Sequence, residues 1–171
     1  SSAASDVYKR QDKYIMSECV KVLRDELPYN LHIFVNSVDF IAKVIDTLKL
    51  APEAVKVVCS TSGESRQENQ RKLGKDYPIG QPSDPAKKIN FYTSTCFEGC
   101  DIFDPDGVTF IVSDGRKAHT LLDISTLFTQ ICGRIRDSRY KAQIVHVYST
   151  TKYSKAVTLD EFVAATQRTL A

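Results

Sequence analysis

Leu31-His32-Ile33-Phe34-Val35-Asn36-Ser37-Val38 is the stretch that decides the architecture of this chain. Leu31 to Val35 is a short, nearly continuous apolar run, which suits a strand buried on both faces. Asn36-Ser37 supplies a helix cap, and Val38, Ile41, Ile45 and Leu48 then recur at helical spacing as one apolar stripe. Val55-Lys56-Val57-Val58-Cys59 reads as a second strand. Strand, helix and strand in this order make a unit whose two strands lie parallel.

The alternation continues in both directions. Upstream, Ile15, Cys19, Val22 and Leu23 predict a helix over 12–26 that ends near Pro28. Downstream, Ser65 to Leu73 reads as a polar, exposed helix, and 74–88, with Pro78, Pro82 and Pro85, as a surface loop. Ile89-Asn90-Phe91-Tyr92-Thr93, Val108-Thr109-Phe110-Ile111-Val112 and 142–148 read as further strands. Helices are predicted at about 120–132, closed by Gly133, and from Leu159 to Leu170. The expected fold class is α/β, a mostly parallel sheet with helices on both faces. In such sheets, ligands bind at the carboxyl ends of the strands.

Composition narrows the functional classes. The 171 residues fit one domain, and 42% hydrophobic with 26% charged residues is ordinary globular usage. With 23 basic and 21 acidic residues the net charge is +2, so bulk charge does not mark a basic nucleic-acid module. No apolar run is long enough for a membrane span, and no signal peptide is visible. The five cysteines read as reduced thiols, and a cytoplasmic location is expected. Residues 1–11 lack apolar periodicity and are expected to be a disordered or non-native tail, leaving 12–171 as the domain. The chain does not begin with Met and stops just after an apparent helix, so it reads as part of a longer protein.

Several chemistries fail on spacing. Gly74-Lys75-Asp76 lacks both the Ser/Thr and the earlier glycine of a phosphate loop, and no G-x-S-x-G elbow occurs. Cys96 follows a strand as a nucleophilic thiol does, but Ile102 stands where a cysteine phosphatase needs arginine. Cys96, Cys100, His119 and Cys132 do not have zinc-site spacing, and no metal site is expected. His32 and His146, set in apolar strands, read as satisfied core histidines.

Two loops remain: Thr93-Ser94-Thr95-Cys96-Phe97-Glu98-Gly99-Cys100-Asp101-Ile102 and Gln130-Ile131-Cys132-Gly133-Arg134-Ile135-Arg136. Taken singly, the first is a glycine-containing loop after a strand and the second a glycine-capped helix end with a favourably placed cation. Together, in this order on an alternating chain, they resemble the fifth and sixth conserved motifs of superfamily-two helicases. Ile33-Phe34-Val35-Asn36-Ser37 resembles the fourth. Val58-Cys59-Ser60-Thr61-Ser62-Gly63, followed by Arg66, resembles the segment that precedes an arginine-bearing helix. The likeness covers roughly residues 30–150 and is nearest to replication-origin-binding helicases of viral or phage type. In one place the chain departs from the pattern. The last arginine of the sixth motif falls at position 137, which is Asp here; Arg136 and Arg139 are its candidates.

The resemblance implies a three-layer RecA-like domain of the P-loop NTPase type. It is the second, C-terminal domain, because no phosphate loop and no D-E-x-[DH] motif is present. It implies ATP with Mg2+ as cofactor, the Mg2+ ligands lying on the N-terminal RecA-like domain of the same protein. Arg134 and Arg136 would act on the γ-phosphate as arginine fingers, with Gln130 close to the phosphates. Glu98, Gly99, Asp101 and Gly133 would shape the nucleotide wall, Asp101 by accepting from the ribose. Ser37, Ser62, Gly63 and Thr93 would grip the backbone of single-stranded or partially duplex nucleic acid, DNA in the first instance. Arg116, Lys117, Arg139 and Lys141 add a local basic excess. The implied function is the C-terminal half of an ATP-dependent helicase in DNA replication or repair, inactive alone and with no membrane partner. The alternatives are an inactive RecA-like module that binds nucleic acid or a partner, and a thiol-dependent enzyme using Cys96.

Overall fold

The computed structural model describes residues 11–97, 100–113, 130–131, 134–140, 143–149 and 154–158. The helix predicted near 120–132 lies outside this range except for Gln130 and Ile131, which are helical; the one predicted from Leu159 lies wholly outside it.

The elements begin with α1 (Gln11–Leu23), β1 (Asn30–Val35), α2 (Val38–Leu48), β2 (Val55–Val58) and α3 (Ser65–Leu73). After the loop come β3 (Ile89–Tyr92), β4 (Ile102–Phe103), β5 (Gly107–Val112), β6 (Ile135–Arg136), β7 (Ile144–Ser149) and β8 (Ser154–Thr158). Six strands form one sheet in the order β2-β3-β1-β5-β7-β8. The first five are parallel, and β8 adds an antiparallel edge against β7. The α/β architecture with a mostly parallel sheet is therefore the observed one, and it is consistent with a RecA-like three-layer fold.

One helix end differs from expectation and a second is built the same way, each for a local reason. α1 stops at Leu23 because Asp25 takes a left-handed conformation (φ 58°) and Glu26 N donates back to Lys21 O at 3.0 Å. α2 ends the same way at Lys49 (φ 52°), with Leu50 N on Ile45 O at 3.1 Å and Leu50 buried beneath. Neither position is the glycine that would have announced the stop. At its start, α2 is capped as predicted: Ser37 Oγ accepts from Phe40 N at 3.1 Å. Gln11, placed with the tail by the sequence, is the first residue of α1; it is buried, and its amide donates to Ser113 O at 3.1 Å.

The sheet separates two cores. On one face Leu31, Ile33, Val35, Val57, Phe91 and Phe110 pack against the apolar stripes of α1 and α2 and against Leu73 at the end of α3. On the other, Phe34, Val58, Tyr92, Ile111 and Ile144 are covered by Cys96, Phe97, Ile102, Ile131 and Ile135. That second cover comes from the two loops singled out in the sequence.

Candidate functional site

The carboxyl ends of β2, β3 and β1 are neighbours because those strands are adjacent in that order. Ser37 follows β1, Ser62 and Gly63 follow β2, and Thr93 follows β3, so the sheet brings together the four residues expected to face a nucleic-acid backbone. Their chemistry differs. Ser37 Oγ is engaged in the helix cap. Thr93 is buried, and its N–H donates to Val58 O at 3.0 Å, tying the β3 end to the β2 end. Ser62 is exposed, with its Oγ 3.2 Å from Ser60 Oγ. Gly63 holds φ 55° with open space where a Cβ would stand, so the backbone angle rather than crowding calls for glycine there. A cavity of about 260 Å³ opens beside these residues, lined by Cys59, Ser60, Ser62, Thr95, Cys96 and Cys100 among others.

The second group lies on the outer layer of the other face. β4 and β6, more than thirty residues apart in sequence, pair in parallel with Ile102 opposite Ile135 and Phe103 opposite Arg136. Ile102 N donates to Arg134 O at 2.9 Å, and Asp104 N to Arg136 O at 3.3 Å. Ile102 and Ile135 point inward to the core, so alternation turns Phe103 and Arg136 outward. Arg136 Nε donates to Asp101 Oδ1 at 2.8 Å. Arg139 joins the same edge through Asp106 Oδ1 at 3.0 Å and Pro105 O at 3.3 Å. Arg134 is half-buried, and its Nε has no hydrogen-bond acceptor among the described residues. The aspartate at position 137, where the resemblance called for arginine, has a local reason. Asp137 sits at φ 60°, a left-handed position that short polar residues tolerate better than arginine.

A buried polar network fixes this layer to the sheet. Asp104 directly follows β4. Its Oδ2 accepts from His32 Nε2 at 2.7 Å and from Asn30 Nδ2 at 3.0 Å, and its Oδ1 from Asp106 N at 3.0 Å. Burial opposes the Asp104 charge, but the His32, Asn30 and Asp106 hydrogen bonds outweigh it and hold the pKa below the ordinary value. Burial pushes the His32 pKa down, against the pull of Asp104, so the imidazole is neutral. Its Nε2–H then donates to Asp104, and Nδ1 accepts from Tyr92 OH at 2.9 Å. Gly107 makes room: a Cβ there would stand 2.9 Å from both His32 Cδ2 and Ile135 Cγ2.

The structure thus sorts the predicted residues into a strand-end group (Ser37, Ser62, Gly63, Thr93) and a lateral group (Asp101, Arg134, Arg136). Gln130 lies on the helix end next to buried Ile131, half-buried itself. Glu98, Gly99 and Gly133, and Arg116, Lys117 and Lys141, lie outside the described residues. His32 and His146 are the buried core histidines that their strand contexts suggested. Burial, followed by the neighbouring Cys100, pushes the Cys96 thiol up to about 12, so Cys96 is no thiolate nucleophile at neutral pH. Among the described residues no group of three or more His, Cys, Asp or Glu is placed to hold a metal ion, and no helix is long and apolar enough to cross a membrane.

Sequence reading missed Phe103, Asp104 and Lys56. Lys56 is buried under the proline-rich loop, where its Nζ donates to Pro82 O at 2.9 Å and Asp84 O at 2.8 Å and lies 5.5 Å from the Tyr92 ring centre. A lysine inside a strand that is otherwise all valine was the available signal. In comparisons with known proteins, no family model matches the chain and no curated protein is significantly similar to it.

Proposed function

We propose that this chain is the second RecA-like half of an ATP-driven nucleic-acid translocase or helicase. One observation carries the reading: the Thr93–Asp104 and Gln130–Arg139 segments join as a parallel pair, β4 with β6, that sets Arg136 on Asp101 at the surface, with Arg134 directly before β6. Arg134, Arg136 and Arg139 thus lie on or beside a two-strand ribbon held by the buried Asp104–His32 anchor, an arrangement that an inert scaffold does not need. In this reading ATP supplies the phosphoryl chemistry and the other RecA-like domain holds the Mg2+. Arg134, whose Nε has no acceptor among the described residues, and Arg136 deliver positive charge to the γ-phosphoryl oxygens as charge builds there. Ser62 and the backbone of the adjoining strand ends contact nucleic-acid phosphates, a sequence-tolerant mode suited to movement along a strand.

The test is the rate of nucleic-acid-stimulated ATP hydrolysis in the protein that joins this chain to its phosphate-loop domain. Arg134→Lys is expected to lower turnover on the order of 10³–10⁵-fold with the melting temperature unchanged, because lysine keeps the charge and loses the planar fork. Arg136→Ala and Arg139→Ala then tell which supplies the second guanidinium. Undiminished hydrolysis in Arg134→Lys overturns the reading, as does robust turnover by this chain alone.

A further inference from the structure

Phe103 is 67% exposed, one of two large apolar side chains so exposed among the described residues. The other, Leu23, ends a helix on the opposite face of the sheet. A single exposed apolar residue is ordinary, but this one is held rather than loose. Ile102 before it is 1% exposed and Asp104 after it 4%, the latter bonded through both carboxylate oxygens. A buried Asp-His contact therefore fixes the ribbon from which an aromatic ring projects into solvent.

The ring's neighbours are polar. Arg136 is its register partner across the pair, and Asp101 lies two residues back along the extended segment. Residues i and i+2 of an extended segment share a face, about 6.5 Å apart at Cα. An apolar ring beside an ion-paired guanidinium and carboxylate suits a flat ligand with polar edges better than an apolar protein surface, which would need an apolar cluster around it. The Asp101–Arg136 bond leaves capacity for such a ligand. Asp101 Oδ2 still accepts, and the terminal nitrogens of Arg136 still donate. The three side chains offer a stacking plane, an acceptor for a ribose hydroxyl and donors for phosphate, the three parts of a nucleotide in order.

We propose that Phe103 is the stacking platform for the base of the bound nucleotide, an inference that rests on the nucleotide-site reading above. Because the ring reads a π-face and no base edge is hydrogen-bonded by it, the platform favours purines by stacking area and discriminates little between adenine and guanine.

The test uses the protein that joins this chain to its phosphate-loop domain, with ring-labelled phenylalanine, titrated in separate arms with ATP, inorganic tripolyphosphate and an oligo-dT strand while NMR shifts and affinity are read. The expected result is movement of the Phe103 ring signals with ATP and not with tripolyphosphate. Phe103→Ala is expected to weaken ATP roughly 5- to 150-fold and to leave tripolyphosphate binding unchanged, and Phe103→Tyr to restore ATP. If Phe103→Ala leaves ATP affinity intact while Arg136→Ala weakens ATP and tripolyphosphate alike, the platform is refuted and the nucleotide site stands. If the ring responds to oligo-dT and not to ATP, the platform takes a strand base and the assignment to the nucleotide is wrong. If the joined wild-type protein binds neither ATP nor tripolyphosphate, this inference and the nucleotide-site reading fall together.

Discussion

The two faces of the sheet are built by different rules. The helical face is closed by α1 and α2 through regular apolar stripes and by Leu73 of the polar α3, with Ile15, Cys19, Ile41, Val44 and Ile45 buried against the strands. Among the described residues, the other face is covered by Cys96, Phe97, Ile102, Ile131 and Ile135, and polar groups lie within or beside its core: His32, Lys56, Asn90 and Asp104 are all buried. A face that only needs covering accepts any helix of the right pattern. A face that must present arginine, carboxylate and aromatic groups at fixed positions needs directional bonds, because hydrophobic packing sets no hydrogen-bond geometry. Among the described residues, the His32, Asn30 and Tyr92 bonds that fix β4 to the sheet lie on this second face.

The strongest way to test that contrast is to damage each side by a comparable amount. Asp104→Ala leaves the His32, Asn30 and Asp106 donors unpaired and is expected to cost about 3–5 kcal/mol. Ile41→Ala on the helical face opens a cavity expected to cost about 2–5 kcal/mol. Denaturant melts give both numbers, and a rescue separates them. Combining His32→Leu with Asp104→Leu removes both members of the pair and is expected to recover most of the stability without recovering nucleotide binding. Full recovery of both would show that the polar anchor positions nothing.

A pH titration sharpens the same contrast. His146, on the strand β7 beside Ile111 and bonded to Ser113, is pushed by burial from 6.5 to about 4. It is neutral in the folded protein, whereas the unfolded chain takes up a proton near 6.5. Stability from this group is therefore complete above pH 6.5 and is lost as pH falls toward 4, by on the order of 3 kcal/mol in all. His32, also lowered by burial, acts in the same direction. Urea midpoints measured across that range are expected to fall with pH, and His146→Gln to flatten the slope. An unchanged slope in the variant would place the titration elsewhere.

The smallest effect belongs to the helical face. Ser37→Ala removes the cap on Phe40 N and is expected to cost about 1 kcal/mol. If nucleic-acid binding falls by no more than that loss explains, Ser37 serves the helix. A larger fall would give the hydroxyl a direct part in the strand contact.

The amino-acid order by itself determined the alternation of buried strands and capped helices. It did so because a period of two or of 3.6 and a Ser at a helix start are local properties, and β1, α2, β2, α3, β3 and β5 appear within a residue or two of where these signals put them. It also marked the two loops that resemble helicase motifs, since those are contiguous strings. It could not supply β4 and β6, two residues each, whose only cause is each other, nor β8, which exists as the partner of β7. Nor could it pair Asp101 with Arg136, or place Asp104 on His32 across seventy-two positions. A two-residue strand has no period to read, and a buried hydrogen bond between distant residues forms only after the sheet has brought them together. The layout of the layers was local information; the assembly of the site was left to tertiary structure.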